Sequence, residues 1–280
     1  MRLADIKQAA GLPDHLNGDT VPVPKRVGHT GQNVWKQLFI SPTRPVLHIT
    51  ICALGLQFFQ QASGIDAVVM YSPRIYEKAG ITSDEKKLLA TIAVGVCKTI
   101  FILITTFMVD RIGRRVLLLT SCGGLVLSML TLATGLTVID RSEGSDNLGW
   151  VVVICVLMTY TSVAFFSMGM GPIAWVYSSE IFPLHLRAQG CGLGVAINRA
   201  TSGVILMTFI SLYKAITIGG TFFLFSGVAT VTWIFFFTLL PETRGRNLED
   251  MEALFGGFFN WRRTMKELRD KEVSHAQGDD

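Results

Sequence analysis

Six apolar runs, at about 46–72, 88–109, 116–139, 149–182, 191–213 and 218–240, dominate the sequence. A helix of roughly 20 apolar residues crosses a bilayer core, where no water is present to satisfy open backbone groups. Each run meets that length, and the loops between them are short. The expected fold is therefore all-α, a membrane protein with six transmembrane helices. Charge supports this: Asp, Glu, Lys and Arg make up 16% of the 280 residues, against about 25% in soluble domains. The net charge of +4 is spread over loop edges rather than gathered into a patch, which argues against nucleic acid as a partner.

The fourth run is too long for one straight crossing. At 1.5 Å per residue it would reach roughly 50 Å, against a core of about 30 Å. Gly169, Gly171 and Pro172 are expected to break it, because proline removes a helix hydrogen bond and kinks the axis. Outside the runs, residues 1–45 are polar, with a short helix expected near 1–11, a linker over 11–25 and an interfacial helix over 34–40. Residues 241–280 return to soluble composition. There, 248–255 pattern as an amphipathic surface helix and 261–280 as a disordered tail. Lys and Arg are denser on the side of Arg111, Arg114, Arg115, Arg187, Arg244 and Arg246 than on the side of Arg74, Lys78, Lys86 and Arg141. The positive-inside rule then places both termini in the cytoplasm.

Polar side chains inside such runs are costly and so informative. At 100° per residue, Gln57, Gln60, Gln61, Gly64 and Tyr71 share one face of the first run. Their amides suit the hydroxyls of a neutral ligand, and they suit hydrogen bonding between helices equally well. Asp66 lies off that face in a straight helix and joins it only if the helix loosens near Gly64. Trp175 follows the Gly171-Pro172 kink by one turn. It suits stacking on the apolar face of a sugar, with a place in an interfacial tryptophan belt as the alternative, less favoured because it sits well inside the run. Asn198-Arg199 is a polar pair deep in the fifth run. Arg199 and Lys98 each need a partner or water; Asp66 is a candidate for either, and Lys98 has the alternative of snorkelling to an interface. Between the second and third runs, Asp110, Arg111, Gly113, Arg114 and Arg115 form a tight cationic turn. It serves either as a topology anchor or as a charge latch with Glu180. No catalytic motif occurs, the five cysteines fall within or beside apolar runs, and the five histidines are scattered. The sequence therefore points away from an enzyme, a metal site or a cofactor.

Taken in order, Gln60-Gln61-Ala62-Ser63-Gly64-Ile65-Asp66, Asp110–Arg115, Gly171-Pro172-Ile173-Ala174-Trp175, Glu180-Ile181-Phe182-Pro183 with Arg187, and Pro241-Glu242-Thr243-Arg244-Gly245 resemble the C-terminal half of a major facilitator superfamily sugar porter. The resemblance is greatest to the plant polyol/monosaccharide transporters, which carry Asp at position 66 where most sugar porters have Asn. It implies one half of a major facilitator fold, built as 3+3 inverted repeats. It implies substrate contacts at Gln60, Gln61, Asp66, Tyr71, Trp175 and Asn198, and hinges at Gly64, Gly171 and Pro172. It also implies a gating network of Asp110, Arg111, Gly113, Arg114, Arg115, Glu180 and Arg187. Met70 stands where a second tyrosine is common. The implied activity is transmembrane transport of monosaccharides, linear polyols and inositol, as proton symport in the complete protein, with the proton as coupling ion and no cofactor.

The resemblance further divides the chain into a central-loop segment (1–45), a six-helix bundle (46–240) and a cytoplasmic tail (241–280). The membrane is expected to be the plasma membrane or the vacuolar membrane. Because sugar porters resemble two such halves joined, this chain is expected to be a fragment, with the N-terminal half or a second copy as partner. The alternative is a non-transporting sugar-binding or regulatory membrane protein that dimerises with a full-length transporter.

Overall fold

A computed structural model describes residues 35–40, 42–78, 83–141, 149–243 and 255. The helix expected near 1–11, the linker over 11–25, the charged tail and all of the 248–255 helix but Phe255 lie outside the described residues. Among the described residues, regular structure is entirely helical. A short π-helix, Lys36–Ile40, precedes the bundle. Eight α-helices follow: α1 Arg44–Ala62, α2 Ile65–Lys78, α3 Asp84–Ile112, α4 Arg114–Arg141, α5 Gly149–Met168, α6 Met170–Ile181, α7 Leu184–Ile216 and α8 Ile218–Leu239.

The first apolar run departs from the single helix expected over 46–72. It divides into α1 and α2 at Ser63-Gly64, so the span that does not qualify by length and hydropathy is the first, while the other five do. Gly64 adopts φ +78°, a left-handed conformation that costs other residues about 1–2 kcal/mol. A Cβ there would also lie 2.6 Å from the Phe225 ring of α8, so glycine is required on two independent grounds. The end of α1 is tied off locally: Ser63 N–H donates to Phe59 O, Gly64 N–H to Gln61 O, and Ser63 Oγ to Gln60 O.

The fourth run breaks as its length demands, at Gly169, the first of the three residues expected to break it. Gly171 and Pro172, which the resemblance implied as the hinge, sit in the first turn of α6, where a missing N–H does no harm. Side chains from neighbouring helices take over the backbone groups that the break releases. Thr105 Oγ1 donates to Met168 O at 2.8 Å, while Ser121 Oγ accepts from Met170 N–H at 3.1 Å and donates to Phe165 O at 2.6 Å. Irregular backbone at this depth persists only with such partners. Ser121 and Leu117 press so closely on Gly169 that a Cβ would meet Ser121 Cβ at 2.3 Å.

The two broken helices head two successive three-span sets, α1/α2–α3–α4 and α5/α6–α7–α8. Small residues let side chains of one helix press on the backbone of another across the two sets, as membrane helices pack when lipid supplies no hydrophobic drive. Gly124 faces the Phe165 ring, Gly135 the Cys155 sulfur and Gly219 the Thr137 hydroxyl. The outward faces are apolar: α3 presents Leu88, Ile92, Val96, Ile100, Leu103 and Phe107. His48, fully buried near the start of α1, closes one end of the bundle. Its Nδ1 lies 3.0 Å from Phe255 O and its Nε2 3.3 Å from Leu239 O.

Candidate functional site

The two helix breaks bring α1, α2, α6 and α7 together around one buried carboxamide, Asn198. Its Nδ2 donates to Gln60 Oε1 at 2.7 Å, Gln57 Oε1 at 3.0 Å and Gln57 O at 3.1 Å, and its Oδ1 accepts from Gln61 Nε2 at 3.1 Å. Gln57 reaches across to Ala174 O and Ser178 Oγ of α6. Gln60 spends both amide hydrogens on the first turn of α6, at Met170 O (2.7 Å) and Gly171 O (2.9 Å). Thus the polar face read from the sequence is one connected network, and Gln57 and Gln60 act in it as interhelical hydrogen-bonding residues. Gln61 differs. Its Oε1 is buried and has no hydrogen-bond partner, a costly state for a carbonyl oxygen.

The break at Gly64 re-aims α2, and Asp66 meets α7: Ser202 Oγ donates to Asp66 Oδ2 at 2.5 Å. Asn198 and Ser202 are four residues apart on α7, one turn along the same face. Neither Lys98 nor Arg199 pairs with Asp66, for the ion pairs among the described residues lie elsewhere. Arg199 instead holds its guanidinium 5.9 Å from the centroid of the Trp175 ring, within cation–π reach. Trp175 is 36% exposed, which leaves it available to a ligand. Tyr71 points its hydroxyl at Leu206 O (3.3 Å) and stacks on Phe209, ring centroids 4.4 Å apart. Met70 is exposed. A groove of about 880 Å³ between α1, α7 and α8 is lined mainly by apolar side chains such as Phe58, Val204, Phe225 and Val231. It offers little to read hydroxyls with.

A second cluster closes the end of the bundle where α3 turns into α4. Gly113 makes the turn at φ +102°. Arg114 grips Glu180 Oε1 through Nε (3.2 Å) and Nη2 (2.9 Å), and also pairs with Asp110 at 3.1 Å. Thr243 Oγ1 donates to Glu180 Oε2 at 3.0 Å. Glu242 accepts from the Arg114 and Arg115 backbone N–H groups at 3.0 and 3.1 Å, a carboxylate at a helix N-terminus where the macrodipole favours it. A Cβ on Gly113 would come within 2.9 Å of that carboxylate. Arg115 donates to Phe237 O and lies over the Phe237 ring. Arg111 is exposed. Arg187 donates to Phe182 O at 3.4 Å and does not pair with Glu180. The carboxylate and cation expected to form a latch do meet, through Arg114. Glu242 and Thr243, which complete the cluster, were visible in the Pro-Glu-Thr motif, but residue type alone assigned them no role. Ser202 carried no signal, since serines occur throughout these runs.

A family model described as "Sugar (and other) transporter" matches residues 20–255. The chain belongs to the sugar transporter family. It is a multi-pass membrane member of that family of transporters, not an enzyme. Polyol transporter 5 of Arabidopsis thaliana is 58% identical over 262 residues, covering 94% of this chain and 48% of the relative. Among solved structures, the xylose transporter XylE is similar in fold. In a form titled as a proton:xylose symporter bound to 6-bromo-6-deoxy-D-glucose it aligns with TM-score 0.64 and 27% identity, over 81% of this chain and 45% of that one. In the inward-open conformation, from E. coli, the values are 0.62 and 26%, over 81% and 47%. The chain spans about half the length of the curated relatives it matches, and its fold is one half of the major facilitator architecture.

Proposed function

We propose that this chain forms one half of a sugar and polyol transporter, and that the cluster at the two helix breaks is its share of the substrate site. The observation that carries the reading is the contrast within one network. Three carboxamides are saturated by protein partners, while Gln61, bonded to Asn198, keeps a buried acceptor unfilled. One turn along α7 from Asn198, Ser202 holds the Asp66 carboxylate, and Arg199, next to Asn198 in the chain, lies over the half-exposed Trp175 ring. A polyol hydroxyl supplies the missing donor and a sugar C–H face supplies a surface for Trp175. In this role Gln61, Asp66, Trp175 and Asn198 touch substrate, Gln60 holds Asn198 and α6 in register, and Tyr71 packs the adjoining turn. Discontinuous helices around a midplane site are a recurrent transporter device. The substrate range is monosaccharides, linear polyols and inositol, carried with a proton, which fits a relative named for polyols and a neighbour titled as a proton symporter.

The Arg114–Glu180–Thr243–Glu242 cluster would act as the cytoplasmic latch, held in one conformation and released in the other. With it inside, both chain termini face the cytoplasm; the membrane would be the plasma membrane or the vacuolar membrane. Residues 1–45 and 241–280 flank the bundle of 46–240 as cytoplasmic segments. The test is uptake of labelled sorbitol, inositol and glucose by transporter-deficient cells. The cells express the chain alone, or together with the part of Arabidopsis polyol transporter 5 that it does not match. Uptake in the paired cells, weakened by Gln61→Ala at unchanged abundance, supports the proposal. No uptake with the partner present would favour a non-transporting role, such as regulation of a full-length transporter by dimerisation.

A further inference from the structure

The hydrogen-bonding capacity left over at the α1–α2 break is unevenly divided between donors and acceptors. The amide hydrogens of Gln57, Gln60 and Asn198 are all committed to protein oxygens, and Gln61 has given one of its two to Asn198. One amide N–H remains. Against it stand Gln61 Oε1, buried and unfilled, and the Asp66 carboxylate, which has taken a single bond, from Ser202. A carboxylate offers about four lone-pair sites and no hydrogen, whereas an asparagine in its place would offer an N–H. Asn198, which accepts from the Gln61 amide, and Ser202, which donates to Asp66, are one helical turn apart on α7, a rise of about 6 Å. Further donors are the Trp175 indole and the Arg199 guanidinium, which lies 5.9 Å from the centroid of that ring.

Resting on the sugar-site reading above, we infer that the α1–α2 edge selects ligands by their hydroxyl hydrogens. Gln61 and Asp66 accept from the substrate, and Ser202 is the positioning residue that holds the Asp66 carboxylate in place. The class this edge takes is an uncharged polyol or sugar with adjacent free hydroxyls turned toward α2. A ring oxygen, a carbonyl or a fluorine placed against the Asp66 carboxylate finds no donor there, the one spare N–H of this edge being on Gln61. A ring oxygen is accommodated where it turns toward that N–H or toward Trp175 and Arg199.

Deoxyfluoro analogues separate donor from acceptor, because fluorine replaces the hydroxyl without its hydrogen. In the paired uptake cells, deoxy and deoxyfluoro analogues of sorbitol, one carbon at a time, compete with labelled sorbitol. At one or two adjacent carbons the two analogues should weaken alike, by about tenfold or more. Asp66→Asn, which supplies an N–H, should recover the fluoro analogue but not the deoxy one. Ser202→Ala should raise the apparent KM with little change in maximal rate, and Ser202→Thr, which keeps the hydroxyl, should restore it. Fluoro analogues that compete as well as sorbitol at every carbon would overturn the inference, as would equal fluoro-to-deoxy ratios in Asp66→Asn and the unaltered chain. The analogue series on the unaltered chain decides the matter even where a variant fails to reach the membrane. Absence of sorbitol uptake by the unaltered pair would instead overturn the transport reading itself.

Discussion

Replacing Gln60 by leucine removes three hydrogen bonds at once: to Met170 O at 2.7 Å, to Gly171 O at 2.9 Å and from Asn198 Nδ2 at 2.7 Å. Interhelical side-chain bonds in membrane proteins average about 0.6 kcal/mol, and bonds in soluble proteins about 1 kcal/mol. The loss is then about 2–3 kcal/mol, with leucine filling most of the space. Gln61→Leu removes one bond, to Asn198 Oδ1 at 3.1 Å, and deletes an oxygen that had no partner; its cost is about 1 kcal/mol or less. Reversible unfolding of the purified chain in a fixed detergent, read beside sorbitol affinity in the paired cells, separates the two roles. Gln60→Leu should be less stable than Gln61→Leu by about 1–2 kcal/mol, whereas Gln61→Leu should lose affinity at nearly unchanged abundance. Equal destabilisation by the two, or a larger loss at Gln61, would refute the division of the network into a structural and a ligand-facing part.

Three further outcomes follow from the geometry. Gly64→Ala should cost about 1–2 kcal/mol for its backbone conformation and about 1–3 kcal/mol more for collision with Phe225. A second change, Phe225→Leu, should return only the steric part in the same unfolding assay. Glu180→Gln should loosen Arg114 and shift the balance of open states, seen as altered maleimide labelling of cysteines introduced on each side of the paired transporter; Glu242→Gln, which weakens the cap of α4, should shift it the same way. Trp175→Ala should raise the apparent KM for sorbitol several-fold with unchanged surface abundance, measured by uptake and quantitative blotting.

Five of the six apolar runs stand among the described residues as helices long and apolar enough to cross a membrane. They were legible because hydropathy and length report the solvent directly, and lipid leaves few alternatives to a helix. The two breaks were legible only in part. Gly64 announced itself through the polar residues beside it, since Asp66 has a role only if the helix yields there. At the second break, Gly169 was named together with Gly171 and Pro172, but which of the three carries it rests on the close approach of Ser121 to Gly169, a fact of tertiary packing. The glutamines were correctly placed on one face, but residue type could not say which were spent on protein. That depends on Asn198 arriving from 138 residues away to reach Gln60. Ser202 and Glu242 were missed for the same reason. Their partners, Asp66 and the start of α4, are separated from them by 136 and 128 residues. Arg187 shows the converse: a cation close in sequence to Glu180 that binds the backbone of Phe182 instead.

In the proposed site, Gln61 and Asp66 are the groups that take the ligand's hydroxyls. A density map of the chain paired with its complementary half, with sorbitol bound and resolved to individual hydroxyls, tests this most directly. A sorbitol hydroxyl within hydrogen-bonding distance of Gln61 Oε1 and another on the Asp66 carboxylate, with Trp175 against the carbon chain, is the predicted result. Sorbitol bound elsewhere, with Gln61 Oε1 still unpartnered, would contradict it.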